Sequence, residues 1–383
     1  MGFLQRLFGE KQAGVSCVQT ARSDNKFLGL PDGLIPLKTA EHAMYEQIRS
    51  SVPIIDAALE KIVRLVGGFE LECDDEYAQK LLRQFASDVR VGGAQRGLDA
   101  FLSCYLDNLL TYGSAVGEIV LTAEQDSIYA LYNSPLGNLD VAAPNTPVQA
   151  EFYLRDGVNS VPAPHPQLIL FSARNPAAGE LRGTSLLRGL PFISNILLRI
   201  YQCIGKNFDR LGNVRFAVTY KPNENGIDPT GAREIAQNIA KEWSEAMSAT
   251  TQGSVKDFVA VGDVDIKVIG ADNQIIDTKV PVDQMLQQIV SKLGIPPFLL
   301  GLSWSTTERM SRQQADILTS ELEAYRRLLT PVILKICNMF LAMNGLCADV
   351  CVNWDMINLQ DEIETAQAQL LLAQAAKEME ETK

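Results

Sequence analysis

The run Ile289-Val-Ser-Lys-Leu-Gly-Ile-Pro-Pro-Phe-Leu-Leu-Gly301 decides the reading of this chain. Val282, Met285, Leu286, Ile289, Val290 and Leu293 recur at helical spacing and give the segment one apolar face. The helix must halt at Gly294-Ile-Pro-Pro297, because two consecutive prolines remove two backbone donors and push the preceding residue out of helical geometry. After this elbow comes a polar loop, Ser303, Trp304, Ser305, Thr306, Thr307, Glu308, Arg309 and Met310. The longest helix is predicted from Ser311 to Met343, with Ile317, Leu318, Leu322, Tyr325, Leu329, Val332, Ile336 and Phe340 inward and a kink at Pro331.

Working outward, Leu190 to Leu211 reads as another long amphipathic helix. Its apolar stripe is Ile193, Leu197, Ile200, Ile204, Phe208 and Leu211, with Ser194, Arg199, Gln202, Lys206 and Arg210 elsewhere. Between Gly212 and about Thr278 lies a compact α/β unit. It comprises a strand Val214–Tyr220, a helix capped by Thr230 and running through Met247, and strands Val255–Val261 and Val264–Ile269 meeting at Gly262-Asp263. The first part of the chain is α+β. Helical periodicity from Glu41 to Val66 is divided at Pro53 or restarts with Pro53 opening the second segment, Phe69–Cys73 alternates as a strand, and helices are predicted over Tyr77–Val89 and Gln95–Tyr112. Strands are predicted at Gly117–Thr122, Ser127–Tyr132, Gln149–Leu154 and Leu168–Phe171, then again at Ala348–Trp354, followed by a terminal helix over Leu359–Lys383.

Composition excludes several classes. The 383 residues, 46% apolar and 21% charged, describe a folded protein of two or three units. Lys and Arg total 34 against 46 Asp and Glu, a net charge of -12, which argues against a surface that clamps phosphates broadly. No window is apolar enough to span a bilayer, and the N-terminus lacks a secretion signal. Gly2 invites myristoylation, but Arg6 stands where that motif wants Ser or Thr. The seven cysteines read as reduced, mostly buried thiols of an intracellular protein.

Catalytic constellations are sparse. The only histidines are His42 and His165, the latter in the Pro-rich stretch Val161–Pro166. Phosphate-cradling and dinucleotide glycine motifs are missing, as is the Gly-x-Ser-x-Gly elbow. Cys347 and Cys351 lack further zinc ligands at a usual spacing, and Glu72, Asp74, Asp75 and Glu76 read as a solvated turn. No catalytic residue, metal or cofactor is assigned.

The proline elbow, followed by Thr306-Thr-Glu-Arg309, a long helix and Leu329-Thr-Pro331, resembles the portal proteins of tailed phages. Tyr112-Gly-Ser-Ala-Val-Gly-Glu118 looks like the portal segment ending a wing helix, Arg182-Gly-Thr-Ser-Leu-Leu187 like the motif before the first stem helix, and Gly253–Gly262 like the strand closing the clip. The resemblance runs in one unbroken order from about Tyr45 to Asp361. It implies an α+β portal-type fold assembled as a ring, with an N-terminal arm (1–40), wing (41–188), first stem helix (189–212), clip (213–279), second stem helix (280–297), tunnel loop (298–310), long kinked wing helix (311–345) and a C-terminal strand and helix forming a minimal crown (346–383).

The same resemblance implies a dodecameric virion channel at one capsid vertex, assembled in the bacterial host, for packaging and ejecting double-stranded DNA. Its implied partners are the terminase large subunit, the major capsid protein and a head-completion or adaptor protein. Candidate channel residues are Ser303, Trp304, Ser305, Thr306, Thr307, Glu308, Arg309 and Arg312, with Arg199, Lys206 and Lys292 on the stem; for Arg309, Arg312 and Lys292, which could grip DNA locally, an ordinary surface charge at a helix end is the competing reading. An acidic bore would let DNA slide without gripping it. Two rivals remain: a hydrolase or transferase built on His165, Asp156 and Ser160, and a prophage or tail ring protein that conducts no DNA.

Overall fold

Pro53 divides the first helical stretch by opening its second helix. Helix α1 (Ala40–Ser51) ends at Val52, and α2 (Pro53–Leu65) opens with the proline at its first position, where a missing N–H costs nothing. The computed structural model describes residues 34–142, 150–157, 159–212, 215–220, 229–251, 264–269, 278–302, 304 and 308–357. Helix α3 (Glu76–Asp88) is capped by Asp75, whose carboxylate accepts from the Ala78 amide at 2.9 Å. The acidic turn is thereby a capping structure. Helix α4 (Leu98–Tyr112) starts three residues later than its periodicity suggested, because Gly97 leaves helical geometry at φ 92° and Gln95-Arg96 joins a hairpin.

The core of the larger unit is built on α4. Leu98, Phe101, Leu102, Tyr105, Leu106, Leu109 and Leu110 are all buried, and only the edge carrying Asp99, Ser103 and Cys104 is exposed. It lies against a five-stranded sheet of β3 (Arg90–Val91), β4 (Gln95–Arg96), β5 (Ser114–Leu121), β6 (Ile128–Ser134) and β10 (Ile169–Ala173), in the order β10-β5-β6-β3-β4. A second sheet, β1 (Ile35–Pro36), β7 (Leu139–Ala142), β8 (Glu151–Asp156) and β9 (Asn159–Pro162), has the order β1-β7-β8-β9. Leu37, Val116, Leu139, Val141 and Ile169 form the apolar layer joining the two sheets. Strand β2 (Phe69–Cys73) pairs antiparallel with β13 (Val350–Trp354).

Chain contacts separate two units, Met1–Asn195 with Met285–Lys383, and Ile196–Gln284. The divisions fall inside α5 (Leu190–Gly212) and α7 (Lys279–Leu293). The smaller unit contains β11 (Arg215–Tyr220) paired antiparallel with β12 (Val264–Ile269), and helix α6 (Pro229–Thr251). That helix begins at Pro229, so Thr230 lies in its first turn and is not the residue preceding it. The partner found for Val264–Ile269 is β11; Val255–Val261 lies outside the described residues, as does Leu359–Lys383. Helix α8 (Glu308–Met343) runs continuously through Pro331.

Three expectations about burial need correction. Ile317 is 63% exposed: the buried stripe Leu318, Leu322, Tyr325, Leu329, Val332, Ile336 steps by four and three, and near the start of α8 only Ala315 and Leu318 are buried among the described residues, with Ile317 outside the covered face. Ser194 is fully buried, since the inward face of α5 near its start is Leu190, Ser194 and Leu197. Among the described cysteines only Cys337 is buried and Cys73 is half-buried; Cys104, Cys203, Cys347 and Cys351 are exposed. Cys337 follows directly on Ile336 in the inward face of α8, and burial pushes its thiol up to about 12.

Candidate functional site: a glycine junction and a proline elbow

Two motifs that stand seventy residues apart in sequence meet in space. At the end of α4, Gly113 takes φ 84° and its carbonyl accepts from the Arg174 amide at 2.8 Å. Gly183 lies so close that a Cβ there would fall on the Gly113 carbonyl oxygen. Neither position has room for a side chain. The Gly183 amide donates to Ser114 Oγ (3.0 Å), Ser185 Oγ donates to the Thr111 carbonyl (2.6 Å), and the Leu186 amide donates to the Leu110 carbonyl (2.9 Å). The segment Arg182–Leu187 thus satisfies the carbonyls that the last turn of α4 leaves open. Leu187 and Leu190 are buried immediately beyond, which fixes where α5 starts.

The proline elbow is equally anchored. Leu293, Ile295, Pro296 and Pro297 are buried, Gly294 and Gly301 take φ 70° and 75°, and a tight turn over Pro297–Leu300 packs against α2. The Leu302 amide closes it on the Pro297 carbonyl at 3.0 Å. A helix therefore arrives, stops and is redirected by residues whose backbone angles leave no alternative.

The side chains singled out from sequence divide into two groups. Arg199, Lys206, Lys292, Arg309 and Arg312 are exposed and Trp304 is half-buried. Ser303, Ser305, Thr306 and Thr307 lie outside the described residues, as does the side chain of Glu308, the first residue of α8. Sequence reasoning missed Arg326, which is 3% exposed and joins α8 to the end of α2. An arginine within an otherwise apolar stripe was the available signal.

The hydrolase constellation does not assemble around Ser160. Its hydroxyl donates to Asp140 at 2.6 Å, and Asp140 is held by Arg155 at 2.7 Å. The acceptor is a locked carboxylate and not an imidazole, while Asp156 and His165 are exposed. His42 is buried against Tyr112, their rings 4.9 Å apart. Among the described residues no group of three His, Cys, Asp or Glu is placed to hold a metal ion, and no helix is long and apolar enough to cross a membrane.

No protein-family model matches the sequence, and no curated protein matches it. Solved structures do match. A chain in the virion of a native gene transfer agent particle superposes with a TM-score of 0.61 at 13% identity, covering 90% of this chain and 91% of that one. The two chains share one fold. A chain from the neck of the native particle, computed with C12 symmetry, gives 0.58 at 13% identity over 88% and 89%. A portal protein of the HK97 phage family from Corynebacterium diphtheriae overlaps more loosely, with a TM-score of 0.43 at 13% identity over 84% and 96%.

Proposed function

We propose that this chain is a portal subunit: one of a ring of copies, twelve in the favoured reading, at a single capsid vertex of a phage-like particle, conducting double-stranded DNA during packaging and ejection. The observation that carries the reading is the fold shared over nine-tenths of the chain with a virion component, combined with the elbow and junction motifs occurring in portal order. In this reading α5 and α7 are the stem helices, residues 213–279 the clip, 298–310 the tunnel loop and α8 the long wing helix. The terminase large subunit docks at the clip during packaging, and a head-completion or adaptor protein replaces it; the major capsid protein surrounds the wing or stem. Catalysis belongs to the partners.

Exposed apolar residues support assembly. Phe192 and Phe208 on α5, the proposed first stem helix, are 71% and 62% exposed, apolar surface that a neighbouring copy in the ring would cover. Native mass spectrometry and negative-stain imaging of the purified protein test the proposal. A closed ring with a bore wide enough for duplex DNA is expected. A monomer at all concentrations would remove the portal reading, and a ring with a narrower bore would favour the non-conducting alternative.

A further inference from the structure

Arg90 and Arg96 stand directly opposite one another across β3 and β4. Like charges in that register repel, both side chains are exposed, and neither forms an ion pair among the described residues. Arg90 is oriented without being neutralised: Nη1 donates to the Tyr129 hydroxyl at 2.8 Å, and the guanidinium lies over that ring, 5.1 Å from its centroid. Tyr129 is itself 52% exposed, and a Cβ on Gly92 or Gly93 at the hairpin tip would meet nothing within 4 Å. Strand β4 is the outermost of its sheet. In a chain with 46 acidic and 34 basic residues, two aligned guanidiniums without a carboxylate form a docking point for acid.

The complement is on the same molecule. Glu72, Asp74 and Asp349 line an open groove of about 410 Å³ that contains no basic residue. Helix α3 connects the two features. Its cap, Asp75, adjoins the groove, and Arg90 follows two residues after its last turn, so thirteen helical residues at about 1.5 Å each place the patches roughly 20 Å apart. A net charge of -12 makes copies repel one another, except where opposite signs are set face to face.

We propose that the arginine hairpin of one copy seats in the acidic groove of a second copy, head to tail. Because hairpin and groove are different surfaces, the contact is heterologous, and rotation-related copies joined this way close into a ring. The inference rests on the ring reading above and assigns it a specific contact.

The test uses full-length protein in two reversed forms, Arg90→Glu with Arg96→Glu, and Glu72→Lys with Asp74→Lys; Asp75 is left as the cap of α3. Sedimentation and native mass spectrometry should show each form needing about tenfold more protein to assemble than the wild type. An equimolar mixture should reassemble, since alternating copies restore every pairing. Should the hairpin form lose its native circular dichroism, Arg96→Gln alone, at an exposed side chain, replaces it and should weaken assembly in the same direction. Wild-type rings accompanied by unimpaired variants, or by a mixture that does not recover, would overturn the contact while leaving the ring reading intact. A wild type that never assembles would instead remove the ring reading. Loss of duplex-DNA binding with assembly unchanged would reassign the hairpin to phosphate and overturn the proposal.

Discussion

Arg326 aims both Nε and Nη2 at the carbonyl oxygen of Val66, 260 residues earlier in the chain, at 2.9 and 2.6 Å. Val66 closes α2, and the last carbonyls of a helix have no partners of their own. The guanidinium supplies two donors and a positive charge where the helix dipole is negative. The same group ion-pairs with Glu323 at 3.0 Å and lies 5.2 Å from the Trp354 ring centroid, so α2, α8 and β13 converge on one side chain. The elbow turn over Pro297–Leu300 packs on this same helix α2.

Replacing Arg326 with Met should therefore cost about 3 kcal/mol, because the carbonyl of the buried Val66 loses both of its guanidinium donors. Arg326→Lys should recover only part of that, since a single ammonium cannot reproduce the fork. Urea unfolding of the three proteins checks the order wild type, Lys, Met. Equal midpoints for wild type and the Met variant would show that the cap does not contribute.

Gly183→Ala should be more damaging than its small size suggests. The added methyl would land on the Gly113 carbonyl, and the backbone contacts on either side leave nothing that can yield cheaply. A loss of about 4 kcal/mol or failure to fold is expected. Gly189→Ala serves as a control, because a Cβ there meets nothing within 4 Å although its φ of 90° adds about 1 kcal/mol of strain. Soluble yield and melting temperature distinguish the two.

Much of this architecture was legible because it is local. Pro53, Gly67-Gly68 and Pro296-Pro297 each act on their own neighbours, so helix ends and the elbow followed from chain chemistry. The meeting of Gly113 with Gly183 was not legible: each glycine is ordinary in its own segment, and only the packing of 182–187 on α4 makes either necessary. Strands β7 and β9 also escaped notice. Leu139–Ala142 is buried throughout and shows no alternation, while Asn159–Pro162 is mostly exposed with no apolar period. Residue-by-residue burial on α5 and α8 failed at Ser194, a polar residue that is nonetheless fully buried, and at Ile317, an apolar residue left exposed near the start of α8.

Acid should destabilise the larger unit through His42. Burial, ahead of the opposing carboxylates of Glu41 and Glu46, holds its ring below the ordinary imidazole value. The unfolded chain takes up that proton near the ordinary value of about 6.5, whereas the folded protein resists it. Stability is then highest with the ring neutral and falls as pH drops below the unfolded value toward the folded one. Between about pH 7.5 and about pH 5.5 the wild type should lose more melting temperature than His42→Gln. Parallel pH profiles would show that His42 is not the group responsible.

The loop between elbow and long helix carries the mechanical part of the functional reading. Glu308 is the first residue of α8, immediately precedes the exposed Arg309, and belongs to the segment proposed to meet moving DNA. An acidic bore keeps phosphates from settling into one register, and a reversal to lysine adds an attractive well at each copy around the ring. Glu308→Lys should leave ring formation unchanged in native mass spectra while slowing packaging or ejection in particles that carry it. An intact ring that packages and ejects at the wild-type rate would mean that this position does not face the DNA path, and the tunnel-loop assignment would have to move elsewhere along 298–310.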